Sequence, residues 1–196
     1  MQLQNSLSQS FLTNKIITTK QAEELGVSKT LMSRYVKSGL LERVEHGVYA
    51  LPGSAYDDMY VLGERSSFII FSHDTALFLN GLSDRTPFMH SVTIPSNKSL
   101  TRKMKEECIC YYIKPDLYEI GITTKKTTFG NVVKCYDAER TVCDILRSRN
   151  RLDEETVISA IKNYVQSKQK DLNKLGLYAG ELRVANKLKQ YMEVLL

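Results

Sequence analysis

Between Thr18 and Tyr49 the apolar and polar positions repeat with a helical period twice and then fall into two short extended runs. At about 100° per residue with Lys29 as zero, Lys29, Thr30, Ser33, Arg34 and Lys37 lie between about 0° and 140°, while Leu31, Met32, Tyr35 and Val36 lie between about 200° and 340°. No carboxylate interrupts Ser28 to Ser38. The spacing predicts a helix with one core face and one basic, polar face. Thr18 with Gln21 has the pattern of a reciprocal capping box for a preceding helix. Gly26 suits a left-handed turn after that helix, and Ser28 can cap the next one. Leu41 to Val44 and Val48 to Leu51, around Glu45-His46-Gly47, then predict a β-hairpin. Helix, turn, basic helix and hairpin make the layout of a winged helix-turn-helix.

Beyond Pro52-Gly-Ser-Ala-Tyr-Asp-Asp58, a polar and turn-rich break, the pattern changes. The reading is an N-terminal domain of residues 1–56 and a second domain of residues 57–196. In the latter, a helix capped by Asp57 or Asp58 is followed by a short apolar strand at Phe68 to Phe71 and a helix from Ser72 to Asn80. Strands are expected at Val92 to Ile94, Cys108 to Ile113, Leu117 to Thr123 and Asn131 to Tyr136. The last third reads as helical: Asp137 caps one helix, Leu152-Asp-Glu-Glu starts another, and Leu182, Ala185 and Leu188 begin a third stripe. Arg183, Lys187 and Lys189 fall off that stripe, so the last helix reads as amphipathic and basic. The class is α+β, a winged helix-turn-helix followed by a mixed α/β domain with a helical end.

The net charge of +5 is compatible with a polyanionic partner, and its distribution is uneven: residues 1–56 carry +2, residues 160–196 carry +4, and the middle carries −1. A recognition helix meets phosphates and guanine edges with Lys and Arg. The candidate DNA contacts are therefore Ser28, Lys29, Thr30, Ser33, Arg34 and Lys37, with Thr19 and Lys20 at the preceding helix start and Arg43 and His46 in the wing.

Catalytic chemistry finds no support. His73-Asp74 beside Ser72 has the residue types of a hydrolase, but neighbours on a helix diverge by about 100° and read better as a helix start. No phosphate-binding glycine loop or nucleophile elbow occurs, and no catalytic residue is assigned. Cys108-x-Cys110, Cys135 and Cys143 lack the paired spacing of a zinc site and read as buried, reduced thiols, so no metal or cofactor is expected. Asp137, Glu139, Arg140 and Asp144 have the look of an acidic metal cluster, yet Arg140 stands four residues before Asp144, the spacing of an ion pair on a capped helix. The N-terminus lacks a charged start followed by an apolar core, and no apolar run approaches membrane-spanning length, which places the expected protein in the cytoplasm, away from membranes.

Ile17-Thr-Thr-Lys-Gln-Ala-Glu-Glu-Leu-Gly-Val, Tyr35-Val-Lys-Ser-Gly-Leu-Leu-Glu-Arg-Val and Gly47-Val-Tyr-Ala-Leu-Pro52 resemble the AbiEi family of antitoxins from bacterial abortive-infection, type IV toxin–antitoxin systems. The resemblance continues more weakly through Phe71-Ser-His-Asp-Thr-Ala-Leu and Cys135-Tyr-Asp-Ala-Glu-Arg-Thr-Val-Cys-Asp-Ile-Leu146. It implies a repressor that binds inverted repeats in its own promoter, two copies on DNA and a monomer in solution. It also implies a second domain that opposes a nucleotidyltransferase-like toxin without a stable complex, with Arg140, Arg183, Lys187 and Lys189 as candidate residues for that task. Relatives often carry arginine in the wing turn, whereas this chain has Glu45 and His46; Glu45 repels phosphate, which makes the wing the weaker half of the contact. Two other readings compete: a winged regulator whose second domain senses a small ligand or partner protein, and a DNA-processing enzyme with a winged targeting head.

Overall fold

The computed structural model describes residues 2–13 and 15–195, which divide into two compact units, residues 1–65 with 126–131, and residues 66–125 with 132–196. The class is mixed α+β.

In the first unit the chain runs α1 (Asn5–Thr13), β1 (Ile16–Thr18), α2 (Thr19–Glu24), α3 (Lys29–Lys37), β2 (Glu42–Glu45), β3 (Val48–Ala50) and α4 (Asp58–Arg65). The hairpin strands are joined by β1 into a three-stranded antiparallel sheet of order β1-β3-β2, with Ile17 and Arg43 flanking Tyr49 from either side. Neither α1 nor β1 was expected, although Leu7 and Phe11, four residues apart and both buried, carry the helical signal. They pack with Ala22, Val27, Met32 and Tyr35 in one core. The far segment 126–131 belongs to this unit through Asp57, whose buried carboxylate accepts hydrogen bonds from the Thr127 hydroxyl and from Asn131 Nδ2 at 3.0 Å. The other carboxylate oxygen accepts from the Tyr60 amide at 3.1 Å and so holds the first turn of α4.

The second unit is built on a five-stranded sheet. Its helices and strands are β4 (Ile70–Phe71), α5 (His73–Leu79), β5 (His90–Pro95), α6 (Arg102–Glu107), β6 (Cys108–Ile113), α7 (Pro115–Tyr118), β7 (Ile122–Lys126), β8 (Val132–Tyr136), α8 (Ala138–Arg147), α9 (Glu154–Gln166), α10 (Leu172–Glu181) and α11 (Ala185–Leu195). The strand order is β6-β5-β4-β8-β7, with β4 antiparallel to β5 and parallel to β8, and β5 parallel to β6. Every residue of β5 is buried, as befits an inner strand.

Helix α8 is buried from Glu139 to Leu146, polar residues included. Its Asp137 cap accepts from the Arg140 amide at 2.8 Å, and Arg140 pairs with Asp144, so the ion-paired helix reading of this acidic run holds. Glu139 accepts from the Tyr164 hydroxyl at 3.1 Å and lies 3.4 Å from Lys174 Nζ, which ties α8 to α9 and α10. Most of the polar groups that α8 buries are thus paired with one another, the condition for placing them in a core, while Arg140 Nη2 has no hydrogen-bond partner among the described residues.

Two stretches differ from expectation. Leu117 to Thr123 is not one strand: Pro115 presets helical φ for the short α7, and Gly121 at φ +78° breaks the chain before β7. The basic C-terminal stripe is likewise interrupted. Arg183 adopts φ +58° after α10, with its amide donating to Gly180 and the Val184 amide to Ala179 at 2.9 Å, the paired bonds of a Schellman turn. Arg183 therefore stands in the turn before α11 and not on the last helix. Three of the four cysteines are buried, and the Sγ atoms of Cys108 and Cys110 lie 3.6 Å apart on one side of β6.

Candidate nucleic-acid interface

Local hydrogen bonding fixes where α3 starts and stops. Thr18 accepts from the Gln21 amide at 3.2 Å while the Gln21 side chain accepts from the Thr18 amide at 2.8 Å, the reciprocal box expected for α2. Gly26 at φ +78° ends α2, with the Gly26 amide donating to Glu23 and the Val27 amide to Ala22. Ser28 Oγ then accepts from the Leu31 amide at 3.3 Å, which leaves its hydroxyl proton free. At the other end Gly39, at φ +71°, repeats the Schellman bonds through Val36 and Tyr35.

The angular split of α3 appears as burial. Met32 and Tyr35 are in the core and Leu31 and Val36 are half-buried, whereas Lys29, Thr30, Ser33, Arg34 and Lys37 are all exposed. Lys29 lies 3.6 Å from Glu23 across the turn, an exposed pair of little energetic consequence. Among the described residues, Lys20, Arg34 and Lys37 carry no ion pair. Arg34 and Lys37, unneutralised on a helix whose other face is anchored, can approach a polyanion without first breaking a salt bridge.

The hairpin is tied to α2, because Thr19 donates to the Gly47 carbonyl from both its amide, at 2.8 Å, and its hydroxyl, at 3.2 Å. Thr19 is thus a positioning residue for the hairpin turn. Arg43 and His46 are exposed and hydrogen-bonded to each other, Arg43 Nη2 to His46 Nδ1. A guanidinium only donates, so Nδ1 accepts and Nε2 is the imidazole nitrogen left to carry a proton. Glu45 lies 3.4 Å from Arg65 Nε of α4, both side chains largely sheltered. Arg65, which the sequence offered no way to connect with the hairpin, offsets the carboxylate at the hairpin tip.

The remaining candidates lie in the second unit and are scattered. Arg140 is fully buried, Arg183 is in the turn before α11, Lys187 donates to the Leu146 carbonyl at 3.3 Å, and Lys189 lies 3.7 Å from Glu193 on the surface of α11. Among the described residues, no group of three or more His, Cys, Asp or Glu side chains is placed to hold a metal ion. No helix there is long and apolar enough to cross a membrane.

Residues 6–52 match the family model described as "Transcriptional regulator, AbiEi antitoxin". No curated protein matches the chain significantly. Among solved structures, the chain is similar to the RV2827C protein from Mycobacterium tuberculosis, at 12% sequence identity and a TM-score of 0.58, covering 97% of this chain and 78% of that one. At that identity the likeness is one of fold.

Proposed function

We propose that the first unit is a winged helix-turn-helix that binds inverted repeats in the promoter of its own operon, two copies per site, and that the protein is the repressor and antitoxin of a type IV toxin–antitoxin pair. The second domain, whose core is the second unit, opposes a nucleotidyltransferase-like toxin without forming a stable complex with it. The observation that carries the DNA-binding part is the exposed, carboxylate-free face of α3, with Arg34 and Lys37 free of ion pairs, inside the segment matched as a transcriptional regulator. Lys29, Thr30, Ser33, Arg34 and Lys37 meet the groove and its phosphates; Lys20, Ser28, Arg43 and His46 add contacts at the edges, and Thr19 holds the wing.

The test uses the full chain. Arg34→Ala with Lys37→Ala weakens binding to the upstream DNA and lowers the slope of log affinity against log salt by about 0.9 for each phosphate that is no longer neutralised. The same double variant still relieves toxicity when co-expressed with the neighbouring toxin gene. An unchanged salt slope overturns the recognition-helix assignment, and loss of neutralisation together with DNA binding overturns the division of labour.

A further inference from the structure

Where α8 ends, the second unit has an open cavity of about 330 Å³. Arg147 closes the helix, and the chain turns through Ser148 into a 3-10 turn, Arg149–Arg151. Tyr111 of β6 and His73 at the start of α5 complete the wall.

Three features of that wall converge on an anion. The first is pre-organised positive charge. The His73 ring stacks on Tyr111 with centroids 3.4 Å apart, and Arg151 Cζ lies 4.1 Å from the same centroid. The tyrosine ring thus meets both the imidazole and the guanidinium at contact distance. Arg147 and Arg151 are exposed to solvent, and among the described residues neither side chain makes a hydrogen bond or ion pair. The carboxylate on the wall, Asp144, is already engaged, accepting from Arg140 Nε through both oxygens at 3.1 Å. The carbonyl end of α8 also lies here and favours cations, but Lys187 caps the Leu146 carbonyl, and Arg147 stands in the last turn.

A relay of hydroxyls is the second feature. Thr93 donates to Ser72 Oγ at 2.8 Å, and in the tautomer that carries its proton on Nε2 the imidazole accepts the Ser72 proton at Nδ1, 2.9 Å away. His73 Nε2–H then donates to Ser148 Oγ at 3.0 Å, which leaves the Ser148 proton for an acceptor. Burial first, and then Arg151, Arg140 and Arg147, hold the imidazole well below its usual pKa and keep it in this neutral, relaying form.

The third is the local backbone. His73 is buried at φ +47°, a conformation side chains other than glycine rarely take, and Ser72 at the cap position of α5 gives its hydroxyl to the imidazole instead of to the helix. The fold holds this histidine against its local preference.

We infer that this cavity binds a phosphate group, either free phosphate or that of a nucleotide, gripped by the guanidinium groups of Arg147 and Arg151 and by the hydroxyl of Ser148, with the Asn150 amide beside them. Two planar guanidinium forks match the charge and the oxygen geometry of a phosphate dianion better than those of a single carboxylate. The proposal rests on the second unit alone, and no DNA enters its test.

The full-length protein is titrated calorimetrically with inorganic phosphate, AMP and ATP at constant ionic strength held by chloride. Saturable binding of at least one at millimolar concentration is expected. Equal affinity for all three identifies free phosphate as sufficient, and tighter binding of a nucleotide identifies the nucleotide as the ligand. Arg147→Gln with Arg151→Gln, both at exposed positions, lowers the affinity by at least about tenfold, the worth of one charge-assisted hydrogen bond. Ser148→Ala lowers it less, and circular dichroism confirms that both variants stay folded. No binding by the native protein, or unchanged affinity in the folded double arginine variant, overturns the proposal.

Discussion

Arg140 and Asp144 form a buried ion pair in which one nitrogen, Nε, donates to both carboxylate oxygens at 3.1 Å. Arg140 Nη1 donates to the carbonyls of Leu117 and Ile120 at 2.8 and 2.7 Å, and the guanidinium lies over the Tyr136 ring. The arginine therefore fastens α7 and the turn that follows it to α8. Arg140→Met leaves a buried carboxylate and two carbonyls without their partner, and the destabilisation expected on breaking such a pair is about 3–5 kcal/mol. Urea denaturation measures it. Adding Asp144→Leu recovers part of that stability, because no lone buried charge then remains. A single variant as stable as the native chain contradicts this structural role.

Gly121 belongs to the same arrangement. A Cβ built there would stand 2.6 Å from Arg140 Cβ, and the residue has φ +78°. Gly53 has a similar φ of +71° with nothing within 4 Å of an added Cβ. Both alanine variants incur the left-handed penalty of roughly 1–2 kcal/mol. Only Gly121→Ala also forces α8 and its loop apart, so its melting temperature falls further than that of Gly53→Ala. Equal falls would show that the close approach is easily relieved.

The pairing of Glu45 with Arg65 gives the hairpin a testable part in DNA binding, on the function proposed above. Arg65→Gln uncovers the carboxylate beside Arg43 and His46. Operator affinity is expected to drop by a few fold, in keeping with the ~1 kcal/mol scale of a pair at the protein surface, and more at low salt than at high salt. Glu45→Gln in the Arg65→Gln background restores it. If neither change moves the binding curve, the hairpin tip lies away from the phosphates.

His73 makes stability depend on pH. Its folded pKa lies well below the ordinary value of 6.5, through burial first and three arginines second. The unfolded chain therefore binds the extra proton more readily. Stability is full above about pH 6.5 and is lost as pH falls from there through the depressed folded value, by at most about 1.4 kcal/mol per pH unit. His73→Asn, a residue tolerant of positive φ, removes the titrating group while keeping the backbone. Thermal melts between pH 7.5 and 5.5 should show a steeper decline for the native chain than for this variant; parallel declines would rule out His73 as the cause.

What the chain's order of residues determined is what forms within about four positions. The box of Thr18 and Gln21, the Ser28 cap, the two-faced α3, the Asp137 cap and the pairing of Arg140 with Asp144 are all short-range hydrogen bonds or helical periodicities, so residue type and spacing suffice to read them. The exposed, basic face of α3 was legible for the same reason, since exposure on a helix follows from angle. Meetings across long separations were decided by the tertiary structure. Strand β1 has only three residues and exists because β3 offers its edge. Residues 127 and 131 join the first unit because Asp57 is buried there and needs donors. Arg65 reaches Glu45, and His73 meets Ser148 from 75 residues away, although Asp74 is its neighbour in sequence. Such meetings depend on which faces pack together to exclude water. That is a property of the whole folded chain, and no local window of sequence contains it.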